Sequence, residues 1–97
     1  MKHVLGNNAL TIYLEGELNS YNSEQIEKEI ETIVKENQFE SLIIDFENLH
    51  YISSAGLRIL VSLKRRYDKI TLVKVPEQVY DVFEMVGFEN IFTIERL

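Results

Sequence analysis

The sequence predicts a single α/β domain over residues 1–97, a mixed and mostly parallel sheet with an antiparallel N-terminal hairpin and helices packed on it. Three observations carry this. Apolar stretches of strand length alternate with amphipathic helical stretches in the order β-β-α-β-α-β-α-β, and strand–helix–strand alternation implies parallel pairing through right-handed crossovers. The first two strands are joined by Gly6-Asn7-Asn8, residues that tolerate positive φ in a hairpin turn. A chain of 97 residues buries roughly 60–65% of its unfolded surface, enough for one core and not two.

Each element has its own signal. Val4-Leu5 and Leu10 to Leu14 are the hairpin strands, with Leu10, Ile12 and Leu14 on one face and Thr11 and Tyr13 on the other. Gly16 is expected to break the run. Asn22 to Glu36 reads as a helix whose apolar stripe is Ile26, Ile30, Ile33 and Val34. Asn22 or Ser20 is the expected cap, with Gln25 three residues after Asn22 as in a capping box. Leu42 to Phe46 is a continuous apolar run, the pattern of a strand covered on both faces. Ser54 to Asp68 is the second helix and Ile70 to Val75 the next strand. Pro76 opens a third helix with Val79, Val82, Phe83 and Val86 on one face, and Gly87 ends it. Ile91 to Ile94 is expected as a last short strand.

Composition narrows the function. Sixteen acids against ten bases give a net charge of −6. That opposes direct nucleic-acid binding and anionic-membrane binding, both of which need an excess of cations. No uncharged stretch is long enough to cross a bilayer, and no apolar leader follows Met1-Lys2, so neither membrane insertion nor secretion is expected. The absence of cysteine fits a reducing compartment, and a cytoplasmic protein is the expectation. Two histidines and no cysteine form no metal-ligand cluster, and there is no Gly-rich phosphate loop with Lys. No metal, no cofactor and no catalytic residue is therefore expected.

The topology locates a site before any motif is used. Loops leaving the carboxyl ends of parallel strands gather on one edge. Those loops are Glu17-Leu18-Asn19-Ser20, His50 to Ser54 and Val75-Pro76, so Asn19 and Ser54 should share an edge. Ser53-Ser54-Ala55-Gly56-Leu57 is a hydroxyl pair at a helix start. Either serine can serve as an N-cap. A phosphate on such a hydroxyl would be favoured by the free N–H groups and the helix dipole. Gly56 would permit a close approach of another backbone.

Leu49-His50-Tyr51-Ile52-Ser53-Ser54-Ala55-Gly56-Leu57-Arg58-Ile59-Leu60 resembles the signature of STAS domains, specifically the bacterial anti-anti-sigma factors. Gly16-Glu17-Leu18-Asn19 resembles their Gly-x-Leu-Asp turn, and Leu42 to Phe46 resembles the strand that leads into their phosphorylation loop. The likeness covers nearly the whole chain. It implies a STAS-like domain that binds an anti-sigma factor serine kinase, frees the sigma factor, is released when one serine is phosphorylated and is restored by a serine phosphatase. The position of that serine matches Ser54, with Ser53 as the second candidate. Ser53 and Asn19 stand where the family has Asp, and both changes remove negative charge from the edge where a kinase would work. The family often carries a final helix, for which the residues after Ile94 leave little room.

The partner-binding set expected from this is Asn19, Ser20, Ser53, Ser54, Gly56, Arg58, Ser62 and Arg65. Its last members come from a charge pattern the likeness does not require. Five of the ten bases lie between Arg58 and Lys69, and Arg58, Ser62, Arg65, Arg66 and Lys69 share one helical face. That face reads either as a solvated surface with cations toward the helix C-terminus or as a docking face for an acidic partner. Three other functions compete. The domain can be an unphosphorylated STAS scaffold in another signalling or lipid-transport complex. It can bind a small molecule or nucleotide at a helix N-terminus. It can be a hydrolase using Ser54 with His50 as base, although no Gly-x-Ser-x-Gly elbow is present.

Overall fold

The computed structural model describes residues 1–97 and contains five strands and three α-helices. β1 (His3–Gly6) and β2 (Ala9–Leu18) form the antiparallel hairpin, turning through Asn7 and Asn8 at φ 54° and 64°. Then follow α1 (Ser23–Glu36), β3 (Ser41–Ile52), α2 (Ser54–Arg66), β4 (Ile70–Val75), α3 (Glu77–Met85), a 3₁₀ turn (Phe88–Asn90) and β5 (Thr93–Arg96). The sheet order is β1-β2-β3-β4-β5, and every pair after the first is parallel.

The register sets the layers. Leu10 pairs with Leu42 and Leu42 with Ile70, while Ile12 pairs with Ile44 and Ile44 with Leu72. These residues therefore share one sheet face, and all of them are buried. They form one core with Ile30, Ile33 and Val34 of α1, Ile59, Leu60 and Leu63 of α2, and Val79 and Phe83 of α3. Phe46 meets Phe83 edge-on at 5.4 Å, which seats α3 on that same face. The opposite face carries Thr11, Tyr13, Ile43, Thr71 and Val73, all half-buried, with no helix over it. The continuous run in β3 is thus covered by helices on one face, not two. The second face is held by its own neighbours: Asp45 is buried there, its carboxylate accepting the Glu47 N–H at 2.9 Å with Lys74 Nζ at 3.9 Å.

Other boundaries also differ from the sequence expectation. Gly16 does not end β2. It takes φ 74° beside a register shift, so the strand bulges and continues to Leu18. β3 likewise runs on to Ile52, converting most of the expected loop into strand. α2 stops at Arg66, because Tyr67 is already extended while its N–H still reaches Leu63 O. The last strand begins at Thr93, since the 3₁₀ turn after Gly87 (φ 76°) occupies Phe88 to Asn90 and directs Phe88 and Phe92 into the core.

The capping box lies three residues earlier than expected. Asn22 sits before α1 but caps nothing in it. Asn19 Oδ1 instead accepts the N–H groups of Tyr21 and Asn22 at 2.9 and 3.0 Å, and Asn22 Oδ1 accepts the Asn19 N–H at 2.8 Å. That is the reciprocal arrangement of a capping box, built from two asparagines around a turn that leads into the helix.

Candidate partner-binding site

The carboxyl ends of β2 and β3 build the site. Leu18 pairs with Ile52, and the Ser53 N–H continues the ladder by donating to Leu18 O at 2.9 Å. Asn19 and Ser53 therefore leave adjacent parallel strands at one edge of the sheet, as the topology required. On the β2 side the chain enters the Asn19–Asn22 turn, which Asn22 Nδ2 ties to Glu17 O at 2.7 Å. Ser20 and Tyr21 lie at the crest of this turn, and Tyr21 is 96% exposed.

On the β3 side Ser53 is the N-cap of α2. Its Oγ accepts the Gly56 N–H at 3.3 Å, and its carbonyl accepts the Leu57 N–H at 3.0 Å. Ser53 thus fills the structural role, and Ser54, the first residue of the helix, is left exposed. The two serines are not equivalent: one hydroxyl is engaged by the backbone and the other faces solvent. Gly56 explains why the helix can start here. A Cβ at this position would lie 2.7 Å from Ile52 Cγ1 and 2.7 Å from Leu18 Cγ. The first turn of α2 rests on the last core residues of both strands, and only glycine leaves room for them. The close approach expected at Gly56 is made by these side chains.

Arg58 lies one turn beyond Ser54 on α2 and Arg65 two turns beyond Arg58; both are exposed. Ser62 is half-buried and lines a shallow cleft with Arg58, Glu24 and Glu27. Arg66 does not belong to a free cationic face. It is bound by the Glu31 carboxylate of α1 through two hydrogen bonds, one of them 2.8 Å. Those bonds hold the Glu31 carboxyl below its usual range, against the opposing effect of desolvation, and raise Arg66 correspondingly. The helical face read from the sequence is thus divided between a structural clamp at Arg66 and exposed guanidiniums at Arg58 and Arg65.

His50 is exposed, and no hydrogen bond joins it to Ser54. No surface cavity is lined by Asn19, Ser53 or Ser54. The site is an exposed sheet edge rather than a cavity, a setting suited to contact with another surface. No helix is long and apolar enough to cross a membrane. Sequence reasoning missed the aromatic content of this edge, where Tyr21 is joined by the half-exposed Tyr51. The available signal was an aromatic inside an otherwise polar turn, Asn19-Ser20-Tyr21-Asn22, where no core stripe needs one.

Comparison with known proteins agrees with the fold. The STAS domain family model matches residues 2–96. A candidate anti-sigma factor antagonist of Bordetella bronchiseptica, BtrV, is 35% identical over 85 residues, covering 84% of this chain and 72% of that protein. A candidate anti-sigma factor antagonist of Thermotoga maritima superposes with a TM-score of 0.88 at 16% identity, over 99% of this chain and 86% of that one. Bacillus SpoIIAA, an anti-sigma factor antagonist, superposes in its unphosphorylated form with a TM-score of 0.78 at 22% identity, over 96% of this chain and 85% of that one. Its phosphorylated form gives 0.69 at 21% identity, over 96% and 88%. At these identities the solved structures speak for the fold.

Proposed function

The chain belongs to the STAS domain family, and from that premise we propose that it is an anti-sigma factor antagonist: a non-enzymatic binding switch that sequesters an anti-sigma factor kinase and is turned off by phosphorylation of Ser54. The observation that carries this reading is the division of labour between the two serines. Ser53 caps α2, while the Ser54 hydroxyl stands in solvent on the edge shared with Asn19. A kinase can reach Ser54 without breaking a cap. The names of BtrV, the Thermotoga protein and SpoIIAA point the same way, and SpoIIAA is known in both phosphorylation states.

The physical logic is electrostatic. A phosphate on Ser54 adds close to two negative charges at the first turn of α2. The N–H groups of Ser54 and Ala55 take part in no internal hydrogen bond, so the helix tolerates the anion. The partner does not, because the dianion lands in an interface fitted to a neutral hydroxyl. The contact surface consists of Asn19, Ser20, Ser53, Ser54, Arg58, Ser62 and Arg65. Gly56 serves it from below, by letting α2 settle on Leu18 and Ile52. A serine phosphatase would reverse the switch, and the cytoplasm is where all these partners would meet.

The test is phosphosite mapping after incubation with ATP and the anti-sigma factor kinase, for wild type, Ser54→Ala and Ser53→Ala. Phosphate on Ser54 that disappears only in Ser54→Ala is the expected result. A kinase active on another substrate that leaves both serines unmodified would reduce the chain to an unswitched STAS binding module.

A further inference from the structure

α2 does not finish its burial. Ile59, Leu60 and Leu63 enter the core, but Leu57 and Val61, one turn apart, are only partly buried against its edge. With Val86 and Phe88, from the chain just beyond α3, they line an open groove of about 290 Å³. Phe88 is the buried floor and Val86 is 48% exposed. The preceding residue, Met85, is 84% exposed. This is a connected apolar strip in a chain that otherwise covers its helices with charge.

The groove is bordered by cations. Arg58 and Arg65 complete its lining. Neither has a carboxylate within ion-pair distance, whereas Arg66 is held by Glu31 and Arg96 lies over the Tyr80 ring at 4.1 Å. Arg58 also borders the cleft containing Glu24 and Glu27 but closes on neither. In a protein of net charge −6, both unpaired guanidiniums stand beside this apolar groove. Arg58, Val61 and Arg65 follow one another at i, i+3 and i+7, so the two charges stand about 10 Å apart with an apolar residue between them. A second helix carrying carboxylates at i and i+7, with an apolar side chain between, has the matching spacing.

We propose that this groove is a docking site for an acidic amphipathic helix of the partner, its apolar side chain set against Leu57, Val61 and Val86 and its carboxylates on Arg58 and Arg65. The identity of the partner as an anti-sigma factor rests on the function proposed above; the chemistry of the occupant rests on the groove. Rim charges of this kind act mainly on the rate of encounter, and the apolar strip on the lifetime of the complex.

Two measurements test it. The isotope-labelled chain is titrated with a two-heptad helical peptide containing Glu-x-x-Leu-x-x-x-Glu, and with the same peptide carrying Lys for Glu. Saturable amide shifts at Leu57, Val61, Val86 and Phe88 are expected with the acidic peptide alone, and not in R58E/R65E. Equal shifts with the Lys peptide, or shifts on another surface, would overturn the proposal. In parallel, association with the anti-sigma factor is followed by stopped flow at low salt. R58E/R65E should slow it about tenfold or more while the fold, read by thermal melting, is kept. If Ser54→Glu abolishes binding but R58E/R65E leaves the rate unchanged, the groove is wrong and the antagonist function stands. If the anti-sigma factor does not bind the wild-type chain while the acidic peptide still maps to the groove, the groove stands and the antagonist function falls.

Discussion

Three residues at the sheet edge do different work, and each can be separated by one substitution. Gly56→Ala exchanges a poor helix former for a good one, a gain of up to about 1 kcal/mol. Its Cβ, however, would meet Leu18 and Ile52 at 2.7 Å, near their backbones and inside the core. Overpacking of that kind costs about 1–3 kcal/mol, so net destabilisation in urea melts is expected, together with weaker partner binding as α2 lifts. Ser53→Ala removes the acceptor for the Gly56 N–H and should cost about 1 kcal/mol with no change at Ser54. Asn19→Ala removes the acceptor for two N–H groups and should lower stability by a similar amount and free the Tyr21 turn. Asn19→Asp keeps the acceptor and should leave the melt within about half a kcal/mol of wild type. A larger loss would mean that the Asn19 Nδ2 contact to Glu17, at 3.3 Å, matters more than the cap.

Among the elements, α1 and α2 are joined across their exposed sides by Glu31 and Arg66. Because the folded Glu31 carboxyl titrates below its unfolded value, the pair contributes fully above the ordinary glutamate range. The contribution is lost as pH falls through the depressed folded value. Both side chains are more than a quarter exposed, so screening limits the effect to under about 1 kcal/mol. Glu31→Gln should therefore be less stable than wild type at neutral pH, and the gap should close in acid. A gap that persists unchanged at low pH would show that the carboxylate is not its source. This pairing was not legible in the sequence, where Arg66 looked like one more member of a cationic face. Helix periodicity places a side chain on a face but does not say which neighbouring element meets it. The order and type of the five strands and three α-helices were legible, because alternation and apolar stripes are local, whereas the 3₁₀ turn at Phe88–Asn90 was not. Their ends were not. Gly16 looked like a terminator and is a bulge, and the β3 strand outran its apolar run because pairing with β2 continued through Leu18 and Ile52.

At the scale of the molecule, the sheet has one covered face and one open face. Neighbours along β3 should report this. Ile44 is fully buried under the helices, and Ile44→Ala should cost about 2–5 kcal/mol. Ile43 points the other way and is half-buried, so Ile43→Ala should cost markedly less, which paired urea denaturation would measure. Equal losses would mean that the open face is covered after all. The sequence could not reveal this asymmetry, because a run such as Leu42 to Phe46 looks the same whether its second face meets a helix or only its own side chains. The placement of the candidate site was legible in outline, since topology alone put Asn19 and Ser54 on one edge. That Ser53 rather than Ser54 caps α2 required the cap geometry. The position of Tyr21, nearly free in solvent at the crest of its turn, has a practical consequence. The chain contains no tryptophan. Tyr21→Trp would create a protein with a single indole emitter whose surroundings barely differ between folded and unfolded chains. Its fluorescence would stay almost silent through denaturation and change colour only when another molecule closes over that edge, giving an optical readout of docking alone.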